Sequence, residues 1–155
     1  MHFTRRLALV LALVSVMLAG TATTASASTA PAAGAFVEGP ETILSERQSG
    51  KNVLIHLTRE AVISGTYAGV GQADQFIVIH ADGSFNFHQT ITFTGVVCGK
   101  SVALVFSVVG GGNFDQNVLT AQYTVTGSPA VGRGNGRIVA APGVGGTYEG
   151  AVHCN

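Results

Sequence analysis

The stretch from Asp82 to Lys100, DGSFNFHQTITFTGVVCGK, decides how this chain is read. It opens with Asp82-Gly83, a pair suited to the positive φ angles of a tight hairpin turn. Phe85, Phe87, Ile91, Phe93 and Val97 then share one parity, and Asn86, His88, Thr90, Thr92 and Thr94 the other. Alternation at period two over that length marks a strand with one buried face. Gly99-Lys100 offers a second tight turn, with Cys98 just before it. One passage therefore predicts a strand, two turns, a core face and a covalent staple. It carries no reactive motif.

Outward from this stretch, short apolar runs alternate with turn signals, and no helical period is sustained. Strands are predicted at 52–64, 67–81, 84–98, 101–109, 118–126, 136–140 and 146–153. With an even-length loop at Asp82-Gly83, His80 falls opposite Phe85, Val78 opposite Phe87 and Phe76 opposite Gln89. With a Gly99-Lys100 turn, Val97 pairs with Val102, Phe93 with Phe106 and Ile91 with Val108. Both registers gather apolar residues on one face. Tight sequential hairpins favour an all-β, antiparallel up-and-down barrel; the alternative, a β-sandwich, needs longer crossovers.

The first 27 residues read as a secretory signal. Arg5 and Arg6 precede an apolar run from Leu7 to Gly20, and Ala25-Ser26-Ala27 supplies the small residues of a cleavage site. The run is too short for the roughly 20 residues that cross a bilayer. Thr21 stands where a lipoprotein signal would need its acylated Cys. The expected product is a secreted protein cleaved near Ala27, without a membrane anchor. Residues 28–40, rich in Ala, Ser, Pro and Gly, read as a flexible leader, and 41–155 as one β-barrel domain. Loss of Arg5 and Arg6 turns 8 basic and 8 acidic residues into 6 against 8. That balance lacks the basic patch that nucleic acid demands. Trp is absent, which argues against aromatic sugar-stacking platforms.

Gly65-Thr66-Tyr67-Ala68-Gly69 returns near the end as Gly146-Thr147-Tyr148-Glu149-Gly150, which suits equivalent strand starts in a closed barrel, although chance recurrence in a Gly-rich chain is equally open. Together with Asp82-Gly83-Ser84-Phe85 and the run Phe93-Thr94-Gly95-Val96-Val97-Cys98-Gly99-Lys100, these motifs give the chain a family likeness. Over about Lys51 to Val152 it resembles the allene oxide cyclase-like barrels, in particular secreted bacterial members without an assigned activity. The resemblance implies eight antiparallel strands, a central apolar cavity and a tendency to form homo-oligomers. No catalytic residue of those enzymes can be matched to a position here, so none is carried over.

Cys98 and Cys154 are the only cysteines, and in an oxidising compartment they are expected to form a disulfide. Strand parity speaks against it by placing Cys98 on the polar side, so free thiols or an intermolecular bridge stay open. His56, His80, His88 and His153 sit singly on different predicted strands, without the close spacing of a zinc site. No metal and no cofactor is expected. His80, on the predicted apolar face, is the one histidine read as a cavity residue. Tyr123 follows Leu119 and Ala121 in parity and points inward, where a buried, locally satisfied hydroxyl is the ordinary outcome. Tyr67 and Tyr148 are further phenolic candidates. Glu60 and Glu149 are expected to face solvent, and Arg133 and Arg137 to lie in a Gly-rich hairpin loop.

Two functions follow as expectations. The first is a secreted barrel that binds an apolar small molecule, or acts as an extracellular interaction module, with His80, Phe85, Phe87, Phe93, Phe106 and Tyr123 around the ligand. The alternative is an isomerase or cyclase of the allene oxide cyclase-like type, working by confinement and a few polar contacts.

Overall fold

A computed structural model describes residues 28–127 and 131–154 of the chain. Eight strands run β1 (Ser28–Ser49), β2 (Asn52–Gly65), β3 (Tyr67–Ile79), β4 (Ser84–Val97), β5 (Lys100–Asn113), β6 (Val118–Gly127), β7 (Gly134–Ala141) and β8 (Gly145–Cys154). Each pairs antiparallel with its sequence neighbours, and β1 pairs with β8, so the sheet closes into an up-and-down barrel. Closure leaves no open sheet edge. The sandwich alternative is excluded. The predicted signal segment, 1–27, lies outside the described residues.

The stretch read as a flexible leader is the first half of β1. Ser28 to Val37 pairs with β8, and Gly34 onward with β2. Its small residues have a steric reason. A Cβ on Gly34 would overlap the Tyr148 hydroxyl and the Ser64 carbonyl oxygen. Close approach of a large ring, rather than disorder, is what Ala-Ala-Gly-Ala encodes here. The two Gly-Thr-Tyr repeats are drawn together across this point, since Gly34 is paired with Gly65 on one side and Tyr148 on the other. They therefore flank β1 and both mark strand starts, the first passing from the end of β2 into β3 and the second opening β8.

The β3–β4 hairpin corrects the predicted register. His80 N–H donates to the Ser84 carbonyl at 2.8 Å and Gly83 N–H to the His80 carbonyl at 3.1 Å, with Gly83 at φ 76°. This encloses a three-residue loop, Ala81-Asp82-Gly83, with Gly in the left-handed position. The odd count places Ile79 opposite Phe85 and Ile77 opposite Phe87. A slip of one residue reverses every side chain. Ile77 is accordingly buried, Phe76 is 43 % exposed, and His80 lies on the outer surface with Asn52 and Asn86.

At the β4–β5 turn the slip is two residues, so the face survives and only the partners change. Val97 pairs with Lys100, Phe93 with Leu104 and Ile91 with Phe106. The turn residues are Cys98 and Gly99, at φ 53° and 74°, the two positive angles of a type I′ hairpin. Cys98 thus leaves strand geometry, and parity no longer governs its side chain. It bonds to Cys154, with Cα atoms 5.8 Å apart. The covalent link suits an oxidising compartment.

Candidate functional site

The barrel interior is packed solid at one end and hollow at the other. Around the disulfide, Tyr67, Phe93, Val97, Leu104 and Val152 are essentially fully buried. Tyr67 meets Phe93, Phe106 and Tyr123 edge-on, with centroids 6.3, 5.0 and 6.5 Å away. These contacts fill the lumen with interlocking rings.

Further along, the lumen holds a deep chamber of about 50 Å³ with walls including Ala61, Ile63, Ile91, Phe106, Val108 and Ile138. A mouth chamber of about 270 Å³ opens at the other end, between Ile55, Ile77, Phe85, Phe114 and Pro142. Arg59 and Glu38 line both, so they form a polar layer between the chambers. β2 carries Arg59 inward between Leu57 and Ala61, and only 7 % of it is exposed. Its Nη1 donates to Glu38 Oε2 at 2.6 Å and its Nη2 to Gln75 Oε1 at 2.8 Å. Glu41 approaches the same guanidinium at 3.5 Å from a half-exposed position. Burial pushes the Glu38 carboxyl up from its ordinary range, outweighing the nearby Arg59 charge that pulls it down.

Two donors in this region have no partner among the described residues: Arg59 Nε and the Tyr123 hydroxyl, both on residues that line the deep chamber. Tyr123 is 2 % exposed, and burial together with nearby Tyr148 pushes its phenol up to about 12. It is therefore a neutral O–H donor at physiological pH. The other two tyrosines differ. The Tyr148 hydroxyl donates to the Ser64 carbonyl and accepts from Tyr67 N–H, both at 3.0 Å. The Tyr67 hydroxyl donates to the Gly132 carbonyl at 3.4 Å. Most buried polar groups in proteins are satisfied, so two orphan donors on residues that line one chamber call for an account.

The residues proposed from sequence separate in the fold. Phe106 and Tyr123 line the deep chamber, and Phe85 lines the mouth. Phe87 and Phe93 pack in the barrel core. His80 faces outward, hydrogen-bonded to Asn52 at 3.3 Å and Asn86 at 3.0 Å, so it takes no part in the lumen. His88 is also outward, stacked on Phe76, which stacks in turn on His56; His56 pairs with Asp74 at 2.8 Å. No group of three metal-ligating side chains forms among the described residues. Glu60, Glu149, Arg133 and Arg137 are exposed, although Arg137 belongs to β7 rather than a loop.

Arg59, Glu38 and Gln75 escaped the sequence reading. Arg59 could have been found, because it shares parity with Leu57, Ala61 and Ile63. Gln75 needed the correct β3 register, and Glu38 lay in the supposed leader. Among the described residues no helix is long and apolar enough to cross a membrane. Neither comparison with protein-family models nor comparison with curated proteins finds a match for this chain.

Proposed function

We propose that this is a secreted barrel that binds an apolar small molecule in its lumen. The observation that carries the reading is the apolar deep chamber with two unpaired buried donors, Arg59 Nε and Tyr123 Oη. Apolar walls with a few convergent polar groups are the usual make-up of a ligand pocket. Secretion and cleavage near Ala27 rest on the N-terminal sequence pattern, and the disulfide supports an oxidising destination. Native mass spectrometry of the protein purified from culture medium tests the reading. A retained mass that is lost on denaturation supports it. A bare protein mass, joined to no uptake from an apolar metabolite extract, overturns it.

A second reading has its own support. Tyr123 and the buried carboxyl of Glu38 meet on one chamber, which gives an isomerase or cyclase of the allene oxide cyclase-like type a donor and an acid–base group beside a confined substrate. Turnover abolished by both Tyr123→Phe and Glu38→Gln, with ligand uptake retained, distinguishes that reading from simple binding. Association between copies is also part of the proposal. Val37, Val62 and Val70 lie in register on three adjacent strands, each substantially exposed. The same native spectra report the oligomeric state.

A further inference from the structure

The chemistry of the polar layer narrows the ligand, on the reading that the lumen binds one. We infer that the lumen selects a neutral, oxygen-bearing apolar molecule of the ketone or ester class over the acid or amine of the same skeleton. Three observations lead there.

The first is the charge already present. The carboxylates and guanidinium lining the two chambers are Arg59, Glu38 and Glu41, one cation against two carboxyl groups. The one guanidinium is already paired with Glu38 and approached by Glu41. A further carboxylate there is desolvated without a free counter-ion.

The second is that the guanidinium fork is occupied. Glu38 holds Nη1 and Gln75 holds Nη2, leaving Nε as the one unpaired nitrogen. A carboxylate is bound best by two parallel N–H donors, and this arrangement presents a single one. A single N–H, or the single phenolic O–H of Tyr123, suits a carbonyl oxygen, which accepts one donor as readily as two.

The third concerns amines. Both unpaired groups are donors, and an ammonium, which has donors only, pairs with neither. The small deep chamber sets the size of the polar head. At about 50 Å³ it has room for a compact group or a few waters. The larger mouth chamber, about 270 Å³, accommodates an apolar remainder.

The test uses four probes of matched chain length: 2-hexanone, hexanoate, hexylamine and hexane. Each is titrated into the ¹⁵N-labelled protein from culture medium, with backbone shifts of Ala61, Ile91, Val108 and Ile138 as the readout. The ketone is expected to shift these residues and to bind at least tenfold more tightly than hexanoate or hexylamine. Tyr123→Phe and Arg59→Lys are each expected to weaken the ketone three- to tenfold, the value of one neutral hydrogen bond, and to leave hexane unchanged. Hexane also reports whether either variant has collapsed the chamber. Hexanoate or hexylamine binding as tightly as the ketone overturns the selectivity while leaving lumen binding intact. Ketone binding that is indifferent to both variants does the same. No lining shift with any probe, the chamber holding water only, overturns the lumen reading and this inference with it.

Discussion

The two ends of the barrel are made from the same kinds of residue and do opposite things. At the disulfide end, Tyr67, Phe93, Val97 and Leu104 close the lumen, and Tyr67 spends its hydroxyl on a backbone carbonyl. Along the deep chamber, where Tyr148 still serves backbone groups, Tyr123 and Arg59 are similarly buried, yet each leaves a donor open. The contrast separates polar groups that hold the barrel shut from polar groups that face its contents. A barrel that served only as a scaffold would gain by treating both ends like the first.

Breaking the closed end has the largest expected effect. The Cys98–Cys154 bond spans 56 residues in sequence and ties the β4–β5 turn to the end of β8. In the loop-entropy account it contributes roughly 4 kcal/mol, acting mainly on the unfolded chain. The double variant Cys98→Ala/Cys154→Ala is expected to lose about that much in urea unfolding, and reduction of the native protein the same. A loss confined to the mouth, seen as faster amide exchange near Pro142 with the disulfide end unchanged, would break the comparison.

Next in size is the polar layer. Arg59→Met removes the partner of a buried carboxylate and of Gln75 Oε1 together. Removing one member of a buried pair costs on the order of 3 kcal/mol at neutral pH, the low end of the usual range because Glu38 can take up a proton. Denaturant midpoints of Arg59→Met and of Arg59→Met/Glu38→Gln check this, the double variant recovering part of the loss. Equal loss in both would mean that packing of the Arg59 stem, not its charge, matters.

The tyrosines give the sharpest version of the contrast. Tyr148→Phe strips a hydroxyl that serves both Tyr67 N–H and the Ser64 carbonyl, and is expected to cost about 1–2 kcal/mol. Tyr123→Phe strips one that serves neither and is expected to cost nothing in thermal unfolding of the ligand-free protein. Similar losses at both positions would show that Tyr123 is structural after all.

Much of this architecture is legible in the sequence because strand parity is a local signal. Phe85 to Val97 alternates cleanly, and the structure buries its odd positions as the pattern requires. What failed was turn length, which side-chain pattern constrains poorly. One residue more or less at Asp82-Gly83 decides whether Phe76 or Ile77 enters the core, and both are apolar. His80 was lost to the site by that single slip. β1 was illegible for a different reason. Gly34 is small because Tyr148 needs the space, and that requirement comes from a residue more than a hundred positions away. The polar layer suffers from both effects, since it joins β1, β2 and β3.

The subtlest difference between the ends is in their response to pH. Glu38 has its carboxyl raised by burial, so the folded protein holds that proton at pH values where the unfolded chain has released it. Where the native state binds more protons, stability falls as pH rises. The contribution is complete below the ordinary value of 4.5 and is lost as pH climbs through the raised one. Unfolding free energies measured at steps from pH 4 to 7 for the native protein and for Glu38→Gln separate this group from the surface carboxylates. The difference, native minus variant, is expected to decrease steadily with pH. A difference that rises would mean that the Arg59 ion pair outweighs burial, and the layer would then be a stabilising clasp like the closed end. A falling difference marks Glu38 as a carboxyl held against its preference, the condition for an acid group that faces a ligand.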